Sequence, residues 1–231
     1  MSLIYGNYID DPETRPRLLD LYCGGGGAGM GYHRAGFDVV GVDINRQGNY
    51  PFEFIQADAL ALAPDFIASF DAIHASPPCQ AYTRKAANWG RERKHWIAHP
   101  DLVEPTRGLL VASGLAYVIE NVPGAPIRAD LTLCGSMFGL RIIKHRCFEL
   151  SFPVATLLPF CDHSDAYNPW QGKGRSADKL RAAQGIDWLP MSGGASRRNG
   201  YTGDLFNAIP PAYTEFIGRQ ILDHIRERKA A

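Results

Sequence analysis

The chain of 231 residues has no excess of charge of either sign, since 24 lysines and arginines balance 24 aspartates and glutamates. A uniformly basic body is therefore excluded, and any polyanion must be met by a local basic face. No apolar run approaches the ~20 residues that span a bilayer, so no membrane partner is expected. The opening MSLIYGNYIDDPETRPR has neither a basic lead nor an apolar stretch, and no signal peptide is expected. Cysteine is scarce: five residues, an odd number at scattered spacings, argue against a disulfide framework and for a reducing, cytoplasmic compartment. Internal repeats are absent, and the one low-complexity tract is a run of glycines.

What is present suits one ordinary α/β domain or a domain with a small appendage, with 45% hydrophobic residues to build a core. Residues 1–16 read as a polar lead-in arm. Arg17 to Tyr22 reads as a buried strand that runs into Cys23 and four consecutive glycines, Gly24 to Gly27, then a helical stretch closed by Gly36. A glycine-rich turn between strand and helix lets a ligand approach the backbone and aims helix N–H groups at it. The next strand, Phe37 to Asp43, ends in a carboxylate placed to accept hydrogen bonds from ribose hydroxyls. The spacing departs from GxGxxG and so leans away from a dinucleotide. A short strand over residues 52–56 leads to Asp58, placed either to reach an adenine amino group or to cap the following segment.

The stretch Ser76-Pro77-Pro78-Cys79-Gln80 follows an apolar run, Phe70 to Ala75. Prolines cannot continue a sheet ladder, so the chain should leave a strand here and present Cys79 from a rigid turn. Residues 81–99 follow with Arg84, Lys85, Arg91, Arg93 and Lys94 against the single Glu92, a loop suited to a polyanion or simply a solvated one. Helical spacing over residues 102–114 precedes a strand, Leu115 to Ile119, that ends in Glu120-Asn121-Val122. Strands alternating with helices predict a mostly parallel, doubly wound sheet, with ligands at the carboxyl ends of the strands. Asp20, Asp43, Asp58, Cys79 and Glu120 share that address.

The second half is less regular. Residues 131–152 read as a glycine-bracketed loop followed by Lys144-His145-Arg146 and Cys147 to Leu150, and residues 153–204 hold no long periodic segment. Pro211 opens a helix whose stripe of Tyr213, Phe216, Ile217, Ile221, Leu222 and Ile225 should dock on the core. His74 reads as a packed core residue, and Met137 and Phe138 as core or pocket packing. Cys161-Asp162-His163, with Cys134 and Cys147 upstream, offers metal-ligand types, but Cys-x-His is not a usual structural zinc spacing, and no metal is expected.

A cysteine and a glutamate at neighbouring strand ends, beside a pocket for a nucleoside-bearing cofactor, suit covalent catalysis on a cytosine ring. Here the chain resembles the S-adenosylmethionine-dependent DNA (cytosine-5)-methyltransferases. Asp20-Leu-Tyr-Cys-Gly-Gly-Gly-Gly resembles the first motif of that family, Pro78-Cys79-Gln80 its nucleophile motif, Glu120-Asn121-Val122 the motif that holds the flipped base, and Lys144-His145-Arg146 its basic motif. Leu180-Arg-Ala-Ala-Gln-Gly-Ile-Asp resembles the motif supporting the recognition region, and Asn207-Ala208-Ile209-Pro210-Pro211 the last motif, which closes the cofactor pocket. The likeness spans residues 17–226 in the family's order.

The resemblance implies a Rossmann-like class I methyltransferase fold, with a catalytic domain over residues 1–150 and 205–231 and a small recognition insert over 151–204. It implies catalytic roles for Cys79, Glu120, Lys144 and Arg146. Cofactor contacts are expected from Asp20, Tyr22, Cys23, Gly24, Gly26 and Gly27, from Asp43, Ile44, Asp58 and Ala59, and from Pro78, Asn207 and Ala208. DNA contacts are expected from Gln80, Arg84, Lys85, Arg91, Arg93 and Lys94, with Arg197 and Arg198 sharing the reading. Two departures stand out: lysine and arginine replace the usual arginine pair of the basic motif, and the 151–178 insert is far shorter than the family's recognition domain. The expected enzyme is a monomer acting on duplex DNA; the alternatives are the same chemistry on RNA, single-stranded DNA or a nucleotide, and a silent DNA-binding relative.

Overall fold

The computed structural model describes residues 15–82, 100–164, 177–190 and 203–230. Arg84, Lys85, Arg91, Arg93, Lys94, Arg197 and Arg198, expected on the DNA-facing surface, lie outside them.

The first strand is buried on both faces, and this builds the fold. In β1 (Arg17–Leu21), Leu18 faces one core and Leu19 and Leu21 the other. The same division holds in β2 (Asp38–Asp43), where Val39 opposes Val40 and Val42, and in β4 (Ala72–Ala75), where Ala72 opposes Ile73 and Ala75. Such strands need cover on both faces, which parallel sheets receive from crossover helices. With β3 (Glu53–Gln56), β5 (Ala116–Asn121), β6 (Leu131–Leu133) and β7 (Arg146–Leu150), they form one sheet in the order β3-β2-β1-β4-β5-β7-β6.

The first core lies under α1 (Gly27–Ala35) and the long α6 (Pro211–Ala230), through Ala28, Tyr32, Tyr213, Ile217 and Ile221. Phe216, Met137 and Phe138 pack at its margin. The second lies under α2 (Pro64–Ala68) and α3 (Val103–Ser113), through Ile67 and Leu110. Helices α1 and α6 meet closely because Gly31 has no side chain; a Cβ there would run into Thr214 Oγ1 and the Pro211 carbonyl.

Strands β1 to β5 are mutually parallel, whereas β7 pairs antiparallel with both β5 and β6. The sequence reading assigns no strand to 131–133 or 146–150. Both are short, and their partners are remote in the chain, so the periodic signal is weak. The antiparallel insertion matters for function, because it brings the first residue of β7 to the edge where the parallel strands end.

Described residues of the 151–204 span, expected as an insert, pack against the rest of the chain. Its α4 (Ala177–Gln184) and residues 186–189 form a third core with Ile142, Ala208 and α5 (Gly203–Asn207), through Leu180, Ala183, Ile186, Leu189, Leu205 and Phe206. Trp188 Nε1 donates to the Gly25 carbonyl at 2.9 Å, fastening this part to the glycine turn.

Candidate active site

The parallel strands end on one edge, and a cavity of about 330 Å³ opens there. Its first half is the turn after β1. Tyr22 at φ 57° and Gly24 at φ 48° take the left-handed conformation that lets the chain double back before α1. At Gly24 a Cβ would meet nothing within 4 Å, leaving open space beside the backbone. The Gly24 N–H donates to Asp43 Oδ2 at 3.2 Å and the Asn45 N–H to Oδ1 at 2.8 Å, so Asp43 at the end of β2 is held by main chain.

Beneath the turn, Asp20 is buried and accepts from the Tyr50 hydroxyl at 3.1 Å through Oδ2. Its Oδ1 is buried without a hydrogen-bond partner. Burial pushes the Asp20 carboxyl up to about 7; the Tyr50 donation opposes this and the neighbouring Asp43 adds to it. Burial also pushes the Cys23 thiol up, so this cysteine is a poor nucleophile.

The other half of the cavity comes from β4, β5 and β7. After β4 the Ser76 N–H still bonds Leu21 O, and Asn121 Nδ2 donates to Pro77 O at 2.9 Å, tying the double-proline turn to β5. The turn closes with the Tyr82 N–H on Cys79 O at 3.0 Å. Cys79 is half-buried. Burial raises its thiol, Arg146 counteracts, and Glu120 adds to the rise. Glu120 is buried and ion-paired with Arg146, Nε to Oε1 at 2.9 Å. Burial raises the Glu120 carboxyl, opposed by Arg146 and by a hydrogen bond from Ser76. Ser76 in turn bonds His74 Nε2 at 2.9 Å, and His74 Nδ1 meets the Tyr32 hydroxyl at 2.9 Å. Burial lowers His74 to about 3, so it is a neutral core relay behind the site.

The cavity brings together most of the residues singled out in the sequence. Asp20, Tyr22, Cys23, Gly24, Gly27, Asp43 and Ile44 line it with Pro78, Cys79, Gln80, Glu120, Arg146, Asn207 and Ala208. Four others stand outside its lining. Gly26 caps α1, packed against Tyr50 and Pro51. Asp58 is exposed and accepts from the Leu60 N–H at 2.9 Å, the capping alternative, and Ala59 is buried in the second core. Lys144 is engaged elsewhere: its Nζ donates to Gln184 Oε1 at 2.6 Å, to Phe206 O at 2.9 Å and to Ala208 O. Burial holds its pKa well below the ordinary lysine value, Arg146 pushing the same way against Glu120 and Cys79. The sequence gives no sign of Tyr50 or Trp188, isolated aromatics 30 and 163 positions from their partners, and names Ser76 only as part of the double-proline stretch, without its bonds to His74 and Glu120.

The fold is α/β and Rossmann-like, and a solved methyltransferase shares it. The Entamoeba histolytica methyltransferase EhMeth superposes over 92% of this chain and 99% of its own with a TM-score of 0.59 at 12% identity, a likeness that carries the fold. A protein described as a DNA modification methyltransferase encoded within an E. coli prophage matches 58% of this chain and 45% of its own at 22% identity and TM-score 0.44. A triple mutant of Spodoptera frugiperda DNMT2 matches 58% and 48% at 23% identity and TM-score 0.42. The chain spans about half the length of these last two proteins. No protein-family model and no curated protein sequence matches the chain.

Proposed function

We propose that this protein transfers a methyl group from S-adenosylmethionine to C5 of cytosine in duplex DNA, through a covalent adduct on Cys79. The observation that carries the reading is one cavity shared by the glycine turn with Asp43 and by Cys79, Glu120 and Arg146.

The residues present fit the cofactor. The unpartnered Asp20 Oδ1 asks for a donor such as an amino group. Asp43, with each oxygen engaged by one backbone N–H, retains acceptor capacity for a ribose diol. The open space at Gly24 admits a ligand against the main chain. Bound there, S-adenosylmethionine supplies an electrophilic methyl group. Asn207 and Ala208 close the same cavity from the far side.

The chain's own residues do the rest. The Cys79 thiol gives its proton to solvent, and the thiolate forms a C–S bond to C6 of the cytosine as the C5–C6 double bond opens. Glu120 holds N3 and supports protonation there, so electron density moves to C5, which becomes the nucleophile. After C5 is methylated, a base removes its proton and the C–S bond breaks, returning the thiolate and restoring aromaticity. Splitting a hard substitution into two easier steps is the benefit of covalent catalysis. A stacked base must leave the helix to reach such a site, so base flipping accompanies the reaction.

The test is nucleoside mass spectrometry of DNA from cells lacking 5-methylcytosine that express the wild-type chain or Cys79→Ala. New 5-methyldeoxycytidine with wild type alone supports the proposal; none, from folded protein, overturns it. One observation favours a second reading on RNA or single strands: fewer than thirty residues separate β7 from α4, little material for reading base edges in a major groove. Competition between duplex and single-stranded substrates separates the two.

A further inference from the structure

Lys144, His145 and Arg146 are consecutive, yet their side chains serve three places. Lys144 reaches into the third core and Arg146 into the cavity, while His145 meets a group that the proposed reaction does not use. Cys134 follows β6, His145 precedes β7, and Cys161 and His163 lie in the segment after β7. The ligand atoms of these four side chains all fall within 4.8 Å of one another. His145 Nε2 is 3.3 Å from Cys161 Sγ, His163 Nε2 is 3.4 Å from Cys134 Sγ, and Cys161 Sγ is 2.6 Å from His163 Nε2. Both imidazoles present Nε2, with ring centroids 5.1 Å apart and planes at 74°.

We propose that Cys134, His145, Cys161 and His163 bind one zinc ion in a closed, four-coordinate structural site. Zinc at about 2.3 Å from sulfur and about 2.0–2.1 Å from nitrogen has ligand-to-ligand edges of about 3.3–3.8 Å, close to the separations that the His145–Cys161 and His163–Cys134 pairs already show, while Cys161 and His163 stand closer and would part to admit the ion. Two thiolates and two neutral imidazoles in a tetrahedral set select zinc over the hard, oxygen-preferring cations. Binding releases the two thiol protons and leaves the site electrically neutral. Outer support is in place: the Ser136 hydroxyl faces Cys134 Sγ at 3.7 Å and accepts the Asp162 N–H at 3.1 Å, joining the two ligand-bearing segments.

The fold gives this site a task. Residues 151–164 contain no helix or strand, and Leu157 and Phe160 are 96% and 99% exposed, so apolar burial holds only part of the segment. A metal would pin its far end to the β6–β7 side of the sheet. It would also fix His145, and with it the main chain from which Arg146 reaches Glu120. The one-residue Cys-x-His spacing argues against zinc when read alone. The other two ligands come from separate elements, and only the folded chain brings them to it.

The decisive experiment is zinc content, by plasma mass spectrometry, of the full chain expressed with added zinc and desalted. We expect about one zinc per chain in wild type. Cys161→Ser, an exposed and therefore mild replacement, should lose it with unchanged circular dichroism. Cys147→Ser, on β7 but outside the cluster, should keep it. Cobalt reconstitution adds a second readout: wild type should show thiolate-to-metal charge transfer and tetrahedral d–d bands that Cys161→Ser lacks. Wild type without zinc, equal zinc in Cys161→Ser, or a Cys134–Cys161 disulfide in protein purified under reducing conditions would overturn the proposal. None of these readouts depends on methyl transfer.

Discussion

Arg146 Nε lies 2.9 Å from Glu120 Oε1, with only 10% and 6% of the two side chains exposed. The antiparallel β5–β7 register, Glu120 opposite Phe148 and Asn121 opposite Cys147, sets Arg146 at the carboxyl end of β5, beside Glu120. Removing one member of a buried pair leaves the other uncompensated. Glu120→Gln should therefore lower stability by about 3 kcal/mol in urea titration and reduce methyl transfer by at least about 100-fold. Unchanged stability would show that the pair is not structurally coupled in solution.

Cys79 titrates above an ordinary cysteine because burial outweighs the help of Arg146. The thiolate is the reactive form, so in the free protein its alkylation rate should climb with pH and reach its midpoint above about 8.5, the free-cysteine value. Peptide mapping after iodoacetamide gives the profile site by site. Arg146→Met should shift it further up; a midpoint below the ordinary value would mean that the cation dominates.

Asp43 and Asp58 separate two roles that look alike in sequence. Asp43 lines the cavity, whereas Asp58 is exposed and caps the turn at residues 59–61. In calorimetric titration with S-adenosylmethionine, Asp43→Ala should weaken binding by about tenfold or more, the worth of a lost hydrogen bond to a charged group. Asp58→Ala should change affinity by less than about threefold, losing only a cap. Equal effects would remove the distinction.

Lys144 joins β7 to the third core through Gln184, Phe206 and Ala208. Lys144→Met removes a donor from three buried acceptors and should cost about 3 kcal/mol of stability. Cys79 alkylation in the folded variant should persist, since Nζ does not line the cavity. Loss of Cys79 reactivity with full stability would instead place Lys144 in the chemistry.

Asp20 gives a pH dependence of defined sign. Its folded pKa, about 7, stands above the unfolded carboxylate value. Its contribution to stability is thus complete below about pH 4 and lost as pH rises through about 7. The ligand-free protein should lose up to about 4 kcal/mol over this window, and Asp20→Asn should flatten the decline. Identical pH–stability curves would show that Asp20 ionises normally.

Most strand ends were legible in the sequence because they are local. The apolar run of β1 breaking into glycines, Asp43 closing β2, the double proline ahead of Cys79, and Glu120 closing β5 are each written within about ten residues, where chain geometry and side-chain period act directly. The docking stripe of α6 is equally local, and its Tyr213, Ile217, Ile221 and Ile225 are buried. The address of the cavity follows from these together, since parallel strands end on one edge.

What the tertiary structure alone decided are pairings between distant residues. Lys144 and Arg146 are basic residues two positions apart, yet one is buried against Gln184 and the other against Glu120. Trp188 covers a glycine 163 positions away. Cys161 and His163 find Cys134 and His145 only after β6 and β7 pair. Local propensity states where an element starts and stops. Which side chains then share a buried space depends on how the whole sheet satisfies its core and its polar groups at once, and that balance has no local signature.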